Sequence, residues 1–431
     1  MVFAAMTFRL FRLTAQHAVN IFYWDQWDFN DATIFQDHSL WEIFHWQHGP
    51  HRQGLGGLLS ALVEPWFQWN SRTEAFLAAS LVVVAALCGL YLKYKLFNSL
   101  SWTDAIIPII MLSPARWDMI WATVNLSHVI LPTLIILYCL SWTCRNERVK
   151  FALIVILNFA IIYTGYGFFL GFLTPVLLFA SYRADPNRAK PARIYLLFCI
   201  VAAVVSIGSF FVGYRYEPTD GCPSMFSAPP YRYVWFMNLM YATAFGVTGV
   251  GRVSEVIGGI VLTLVASVAW FSWKRVLANT GKPIALNFVL AVLSAFVLLF
   301  CVPTALARTC VGMDTAHASR YTNYMQLSML TLYFCALTFR WPGLRVQLST
   351  ILLILLLPSL VVRRADERKM VLITNTKEAW RTCYLNGHTM AECNAWNGAI
   401  YPYPDRTRMQ DKLDYLQATQ QGLFSDAPEL H

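Results

Sequence analysis

The sequence predicts an all-α integral membrane protein, a polytopic helical bundle of about 11 transmembrane helices. Hydrophobic residues make up 57% of the 431 residues and charged residues only 13%, whereas soluble domains carry about 25% charged residues. The mean hydropathy is +0.47. Lys and Arg concentrate in short loops between apolar runs, which the positive-inside rule places in the cytoplasm. The net charge of +9 is therefore mostly a topology signal, and it does not imply nucleic acid as a partner.

Loop charges decide which apolar runs are predicted to cross. Segments 54–69 and 233–250 are predicted not to span, because crossing there would carry basic loops outside. We expect them to be re-entrant or interfacial helices that line an outer cavity. The first helix carries a polar stripe, and we expect it to span with the amino terminus inside. The predicted spans lie near 2–22, 75–92, 98–113, 126–143, 150–164, 167–182, 194–213, 254–273, 284–303, 322–339 and 346–362.

Composition divides the chain at residue 362. Residues 1–362 form the predicted transmembrane domain, in which 23–53 is the first outer loop. Residues 363–431 are polar and form a small C-terminal region on the outer face, which we expect to pack against the loops because a short segment supports only a small core. Cysteines in outer segments can keep disulfides. Of the four cysteines placed outside, Cys383 and Cys393 are the pair that we expect to form one, and the other two are Cys222 and Cys310.

The loop 23–53 is a polar and aromatic island in this apolar chain. Its composition is typical of a recognition or reaction loop mounted on a membrane scaffold. It contains the acidic residues Asp25, Asp28, Asp31, Asp37 and Glu42, the histidines His38, His45, His48 and His51, and the tryptophans Trp24, Trp27, Trp41 and Trp46.

Three other outer segments carry clustered polar residues. Ionisable groups at membrane depth are costly unless they are paired, so they are functional candidates. The segments contain, respectively, Arg116, Asp118, Asn125 and His128; Arg215, Glu217, Tyr231 and Arg232; and Arg308, Asp314, His317, Arg320 and Tyr321.

Carboxylates beside arginines and aromatic rings fit the transfer of a sugar from a lipid phosphate to a hydroxyl. A carboxylate near Asp25 can accept the proton of the acceptor hydroxyl as general base. Arginines can bind the donor phosphate through two hydrogen bonds each and stabilise the charge of the leaving group. Phosphate leaves readily, so no general acid is required.

The same residues resemble the GT-C superfamily of bacterial membrane glycosyltransferases. The resemblance rests on Tyr-Trp-Asp-Gln-Trp-Asp at 23–28, on His-Gly-Pro-His-Arg at 48–52, on Ala-Ser-Arg-Tyr at 318–321, and on the segment 403–408. It covers both ends of the chain, and the middle matches mainly in hydropathy. The chain departs from the family pattern at Gly49-Pro50, where Asn-Glu is usual.

The resemblance implies an inverting transferase of the bacterial inner membrane, with its active site facing the periplasm. The donor would be a polyprenyl-phosphate sugar, and the acceptor a hydroxyl of a glycan, a lipid or a surface protein such as a pilin. No cofactor is expected. Asp25 is the predicted general base, and Asp28 is the second catalytic residue. The predicted substrate-binding residues are Trp27, His48, His51, Arg52, Arg116, Arg308, Arg320 and Tyr321.

Other interpretations stay open. The acidic residues could be solvated surface, the tryptophans an aromatic belt at the lipid headgroups, and the histidines part of a metal site, although zinc needs three or four convergent ligands. The whole chain could instead be a lipid-linked oligosaccharide flippase. The scarcity of ionisable residues in 126–143, 194–213 and 284–303 argues against that function. A ligase that transfers a preassembled glycan would use the same outer face.

Overall fold

The computed structural model describes residues 1–35, 37–185, 188–217, 222, 226–278, 284–404 and 407–426, and these are helical almost throughout. The all-α prediction is confirmed. The helices are α1 (Val2–His17), α2 (Gln26–Phe29), α3 (Asp31–Ile34), α4 (Leu40–His45), α5 (Gly54–Phe67), α6 (Ser71–Phe97), α7 (Ile106–Met111), α8 (Leu126–Ser141), α9 (Glu147–Ile162), α10 (Phe168–Ala184), α11 (Lys190–Phe211), α12 (Pro230–Thr243), α13 (Arg252–Ala278), α14 (Ala285–Arg308), α15 (Ser319–Ala336), α16 (Pro342–Leu356), α17 (Arg364–Leu385), α18 (Met390–Asn397) and α19 (Met409–Ala418).

Membrane-type helices form the body of the molecule. In the described part of the chain, five helical segments are long and apolar enough to cross a bilayer: α6, α11, α13, α14 and the α16–α17 segment. Helices α8 and α10 are apolar but shorter. The protein is therefore an all-α membrane protein, and the number of about 11 crossings stays a prediction.

The predicted span at 98–113 is not one helix. A short 3-10 turn, Trp102–Ala105, leads into α7, which ends at Met111 and is followed by a second turn, Pro114–Arg116. Pro114 has no backbone N–H to continue the helix and disfavours a helical conformation at the residue before it. Ser113 accordingly has an extended backbone. The break leaves the chain irregular beside the polar cluster described below.

The two segments predicted not to span are short helices. Helices α5 and α12 have 14 residues each, which gives each a length of about 21 Å. That is less than the roughly 30 Å of a bilayer core. That these two segments do not cross the bilayer stays a prediction. A Cβ on Gly54, where α5 begins, would lie 1.7 Å from the carbonyl oxygen of Phe44 in α4, so the loop before α5 requires glycine there.

Residues 47–52 form a small hairpin, which is the one sheet among the described residues. Strands β1 (Gln47–His48) and β2 (His51–Arg52) pair antiparallel, and His48 lies opposite His51. Gly49 has a φ of +53° at the turn, a conformation that glycine adopts at little cost. The hairpin therefore holds its two histidines side by side.

The C-terminal region shares a core with the first loop, as the sequence predicts. Trp380 and Leu413 pack in one cluster with Phe22 and Trp27, and the backbone N–H of Trp24 donates to Ile400 O at 2.8 Å. The predicted disulfide Cys383–Cys393 is present. A second disulfide, Cys222–Cys310, is also present. The sequence analysis placed both cysteines outside but did not pair them.

The helical bundle has two ends, which we call the loop end and the basic end. The loop end carries the hairpin, the start of α10 and the end of α14. The basic end carries the loops before α9 and α11, where Nε and Nη2 of Arg188 donate to the two carboxylate oxygens of Glu147. The sequence predicts that the basic end faces the cytoplasm.

Candidate functional site

A cavity of about 240 Å³ opens at the loop end between α10, α11 and α14. Its polar wall carries His51 of the hairpin and Arg308, the last residue of α14. The remaining wall is largely aromatic and includes Phe168, Phe169, Phe210, Phe211 and Tyr166. A cation at one side of an apolar, aromatic space suits a ligand with an anionic head and a hydrocarbon tail.

Tyr166 joins this cavity to a second group of residues. Its ring lies 4.5 Å from the ring of His51 and 5.2 Å from that of Tyr324. The loop before α10 reaches this position through Gly165, which has a φ of +73°. The backbone N–H of Gly165 donates to Arg52 O at 2.7 Å, so the hairpin and the Tyr166 loop are fixed to each other.

Charged side chains converge beside Tyr166 without pairing directly. Asp25, Asp118 and Tyr166 all lie within electrostatic range of Arg320. In the described part of the chain, no hydrogen bond or ion pair within 4.0 Å involves the side chain of Asp25, Asp118 or Arg320, or that of Arg308. All four residues are half-buried, so their charged groups are held close together while staying open to contact from outside the protein.

The pKa values of His51 and Asp118 show how burial and the neighbouring charges act on these two side chains. Burial lowers the pKa of His51 to about 3, assisted by the positive charge of Arg308 and by His48 and Arg320. His51 is therefore a neutral hydrogen-bonding group at ordinary pH. Burial also raises the pKa of the Asp118 carboxyl, and Arg320 opposes that effect. A carboxylate with a raised pKa is a stronger base than a solvated one.

Asp28 is held by neighbours, whereas Asp25 is not. The hydroxyl of Tyr401 donates to Asp28 Oδ2 at 2.8 Å, and His48 Nδ1 lies 3.7 Å from the same oxygen. Asp25 is the residue before α2, and its carboxylate makes no such bond among the described residues. This difference fits Asp25 as the freer carboxylate and Asp28 as a supporting one.

Arg320 and Tyr321 begin α15 at the same place. The guanidinium carbon of Arg320 lies 5.7 Å from the centre of the Tyr321 ring. The hydroxyl of Tyr321 is buried and has no hydrogen-bond partner among the described residues. The backbone N–H of Asp118 donates to Ser319 Oγ at 3.3 Å, which fixes the start of α15 against the Asp118 turn.

Trp27 is a core residue, which corrects its prediction as a sugar-binding one. The side chain is fully buried, and its Nε1–H donates to Phe22 O at 3.0 Å. The edge of one ring meets the face of the other at 5.2 Å in the Phe22–Trp27 pair. Both faces of the indole are covered by protein, so no sugar can stack on it.

Arg52 is a structural clamp, which corrects its prediction as a phosphate ligand. Its Nε donates to Phe210 O at 2.7 Å and its Nη2 to Val212 O at 2.6 Å. Nη1 donates to His45 O. The guanidinium therefore ties the hairpin to the end of α11, and its donors are already used.

Arg116 is likewise bound by protein, which corrects its prediction as a substrate-binding residue. It is buried and donates to Asn323 Oδ1 at 3.0 Å, to Ile110 O at 3.1 Å, and to the side chain of Gln326. These bonds fasten the irregular segment after α7 to α15. In the segment after α7, Asp118 rather than Arg116 is the charged residue that acts on Arg320.

His45, His48 and His51 recur every third residue in the sequence, and they lie on three different elements. His45 ends α4 and its ring stacks on Trp41 at 5.3 Å. His48 faces Asp28, and His51 faces Tyr166. Among the described residues, no three His, Cys, Asp or Glu side chains converge in a way that could hold a metal ion.

Asp118 and Tyr166 are the two site residues to which the sequence analysis assigned no catalytic or substrate-binding role. Asp118 appeared there only as a neighbour of Arg116, because sequence alone does not show which of the two points to the cluster. Tyr166 stands between two glycines at 165–167 in an otherwise apolar stretch. That glycine pair was the available signal of an irregular, close-packed loop.

The sequence matches no model of a known protein family, and no curated protein sequence is significantly similar to it.

Proposed function

We propose that this protein is an integral membrane glycosyltransferase that transfers a sugar from a polyprenyl-phosphate donor to a hydroxyl acceptor at the periplasmic face of the bacterial inner membrane. One observation supports this most. Carboxylates and arginines that have no direct partner among the described residues lie around Tyr166, and Tyr166 lines an aromatic cavity of about 240 Å³. A lipid-linked sugar phosphate has the matching parts, namely an anion, a sugar and a hydrocarbon tail. The GT-C-like arrangement with about 11 crossings belongs to this proposal.

The donor would bind with its phosphate at Arg308 and Arg320. Arginine binds phosphate through paired hydrogen bonds, and both guanidinium groups lack ion-pair partners among the described residues. His51, neutral because burial lowers its pKa to about 3, can donate or accept one further hydrogen bond. The first isoprene units would lie against Phe168 and Phe210, whose rings stack at 4.2 Å.

The reaction is a single displacement with inversion. Asp25 accepts the proton of the acceptor hydroxyl, whose oxygen forms a bond to the anomeric carbon of the sugar. The bond from that carbon to the phosphate oxygen breaks, and polyprenyl phosphate leaves with the electron pair. Arg308 and Arg320 stabilise the negative charge that develops on the phosphate. Asp28, held by Tyr401, supports the loop that carries Asp25.

The main competing functions differ in what they require. A flippase needs a polar path through the bilayer, yet Ser294 is the only polar side chain among the buried residues 288–301 of α14. A ligase for preassembled glycans would use the same site with a diphosphate donor. A panel of monophosphate-linked and diphosphate-linked donors therefore separates the ligase from the transferase.

The test is donor consumption by purified protein supplied with polyprenyl-phosphate sugars. General-base removal lowers rates by about 100-fold to 10,000-fold, so Asp25→Asn should lose at least about 100-fold in turnover. The matched control is Asp37→Asn, which changes an exposed carboxylate of the same loop and should retain activity. A folded Asp25→Asn protein with near-normal turnover would remove Asp25 from the role of base.

A second variant tests the donor phosphate. Arg308→Gln should weaken binding of polyprenyl phosphate, measured without any sugar or acceptor, by about tenfold or more, since hydrogen bonds to charged groups contribute about 1.5–3 kcal/mol. Arg232→Gln is the control, because Arg232 is an exposed arginine on the same predicted side of the membrane. Equal binding by both variants would contradict the placement of the phosphate at Arg308.

A further inference from the structure

A second and larger cavity lies away from the site, on the lipid-facing side of α13, α15 and α16. Its volume is about 1010 Å³, and its lining is almost entirely apolar. Ile260, Phe271 and Leu355 are among its lining residues, and each is more than half exposed. We call this space the α13 groove.

The α13 groove extends along most of α13. On α13 it is lined from Ile257 to Arg275, which corresponds to about 27 Å at 1.5 Å per residue. That is close to the roughly 30 Å of the hydrocarbon core, and α13 is itself long and apolar enough to cross it. A groove of this kind that opens sideways in a bilayer is filled by hydrocarbon chains.

Charge is confined to the basic end of the groove. Its only charged lining residues among the described ones are Arg275, near the end of α13, and Arg340, after α15. No acidic residue lines it. Within the described chain, neither guanidinium has an ion pair or a side-chain hydrogen bond. Both arginines are exposed, so their guanidinium groups are available to an anionic headgroup at this end of the groove.

We propose that the α13 groove binds an anionic glycerophospholipid of the leaflet at the basic end. Arg275 and Arg340 would hold its phosphate, since guanidinium groups match phosphate oxygens in charge and geometry. The acyl chains would lie along the apolar half of α13 nearest these arginines. Basic pockets between transmembrane helices on the cytoplasmic side are a recognised mode of headgroup binding.

This site is distinct from the one proposed for the donor. Helices α13 and α14 are consecutive and antiparallel, and α14 runs about 35 Å from Ala285 to Arg308. Arg275 precedes that helix and Arg308 ends it, so the two phosphate positions face opposite leaflets. The lipid site stands whether or not the protein transfers sugars.

The test is lipid retention, measured by native mass spectrometry on the delipidated full-length protein. Phosphatidylglycerol and phosphatidylcholine are added separately at equal concentration. We expect one site with at least tenfold preference for phosphatidylglycerol. The double variant Arg275→Gln/Arg340→Gln should abolish the preference. The control Lys274→Gln/Arg145→Gln removes the same charge on the same predicted side, from residues that do not line the groove, and should keep it.

A second variant guards against a general effect of charge. Leu264→Trp fills the groove without changing any charge, and it should lower retention of both lipids while the protein stays monodisperse. Equal retention of the two lipids by the unaltered protein would overturn the proposal. So would a preference that survives in the double arginine variant. Displacement of phosphatidylglycerol by stoichiometric polyprenyl phosphate would assign the groove to the carrier lipid instead.

Discussion

The two ends of the bundle both bury charges, but they treat them differently. At the basic end, Lys93 Nζ lies 3.0 Å from Asp104 Oδ2, with side chains only 3% and 5% exposed, and the hydroxyl of Tyr333 donates to the other carboxylate oxygen at 2.6 Å. At the loop end, Asp118 and Arg320 have no direct partner among the described residues. The first arrangement is closed by direct bonds within the protein, whereas the second leaves half-buried charged groups without direct bonds among the described residues.

The contrast separates structural charges from functional ones. A buried pair with every oxygen bonded holds two helices together, and it loses that role when either partner is removed. Unpaired groups in a cavity cost stability, and they persist where they act on something that binds there. Composition alone does not make this distinction, because both ends contain the same residue types.

The largest expected effect is at the basic end. Asp104→Asn should lower the free energy of unfolding in detergent by about 3–5 kcal/mol, because it leaves the Lys93 ammonium buried without its counter-charge. The double variant Lys93→Met/Asp104→Leu should recover most of the loss, since a buried pair can be replaced by apolar residues of similar volume. If the double variant is as unstable as the single one, the pair is not what joins these helices.

Unlike Asp104→Asn, a substitution of Asp118 is expected to leave the free energy of unfolding intact and to lower activity. Asp118→Asn removes an unpaired buried carboxylate, so the free energy of unfolding should stay the same or rise. Donor turnover should fall by about 10-fold to 100-fold, because the charge beside Arg320 is lost. Measuring both quantities on the same preparation tests the comparison directly. A loss of stability as large as that of Asp104→Asn would make Asp118 a structural charge.

We expect a smaller effect on stability from pH, which acts through the protonation of His51. His51 titrates near its ordinary pKa of 6.5 in the unfolded chain, and the folded protein lowers that pKa to about 3. As the pH falls from 6.5 toward 3, only the unfolded state takes up this proton, so stability declines over that range.

His51→Asn should therefore flatten the decline of thermal stability between pH 6.5 and pH 4.5, by no more than about 2 kcal/mol. His38→Asn is the matched control, because His38 is an exposed histidine of the same loop. Identical pH profiles for the unaltered protein and His51→Asn would show that the proton is taken up elsewhere.

The sequence predicted the parts of this arrangement that depend on polarity and order along the chain. The apolar runs indicated an all-α membrane protein, and the polar segments around Asp25, Arg308 and Arg320 do meet at one end. Cys383 and Cys393 pair as expected. These features follow from where polar residues interrupt hydrophobic ones, which is visible without coordinates.

The sequence could not indicate which polar side chains are already satisfied. Arg52 and Arg320 look alike in a sequence, but the first donates to backbone carbonyls of distant residues such as Phe210 and the second does not. Trp27 is buried because the C-terminal region covers it. The predicted span at 98–113 is instead a short turn followed by the six-residue helix α7, a division that the apolarity of the run does not indicate. The errors at Arg52 and Trp27 both reflect long-range contacts.

Those contacts span nearly the whole chain. Tyr401 holds Asp28 across 373 residues, and Lys412 reaches the carbonyl of Trp27 across 385. At about 5–20 residues per second, the ribosome would finish the covering segment roughly 20 to 80 seconds after the loop. During that interval the Asp25 loop is inserted but uncovered, with a tryptophan that later becomes fully buried exposed to its surroundings. The loop therefore gains these contacts only after the helices before residue 363 have been synthesised, and a ribosome that stalls before residue 400 would leave Asp28 and Trp27 without Tyr401 and Lys412.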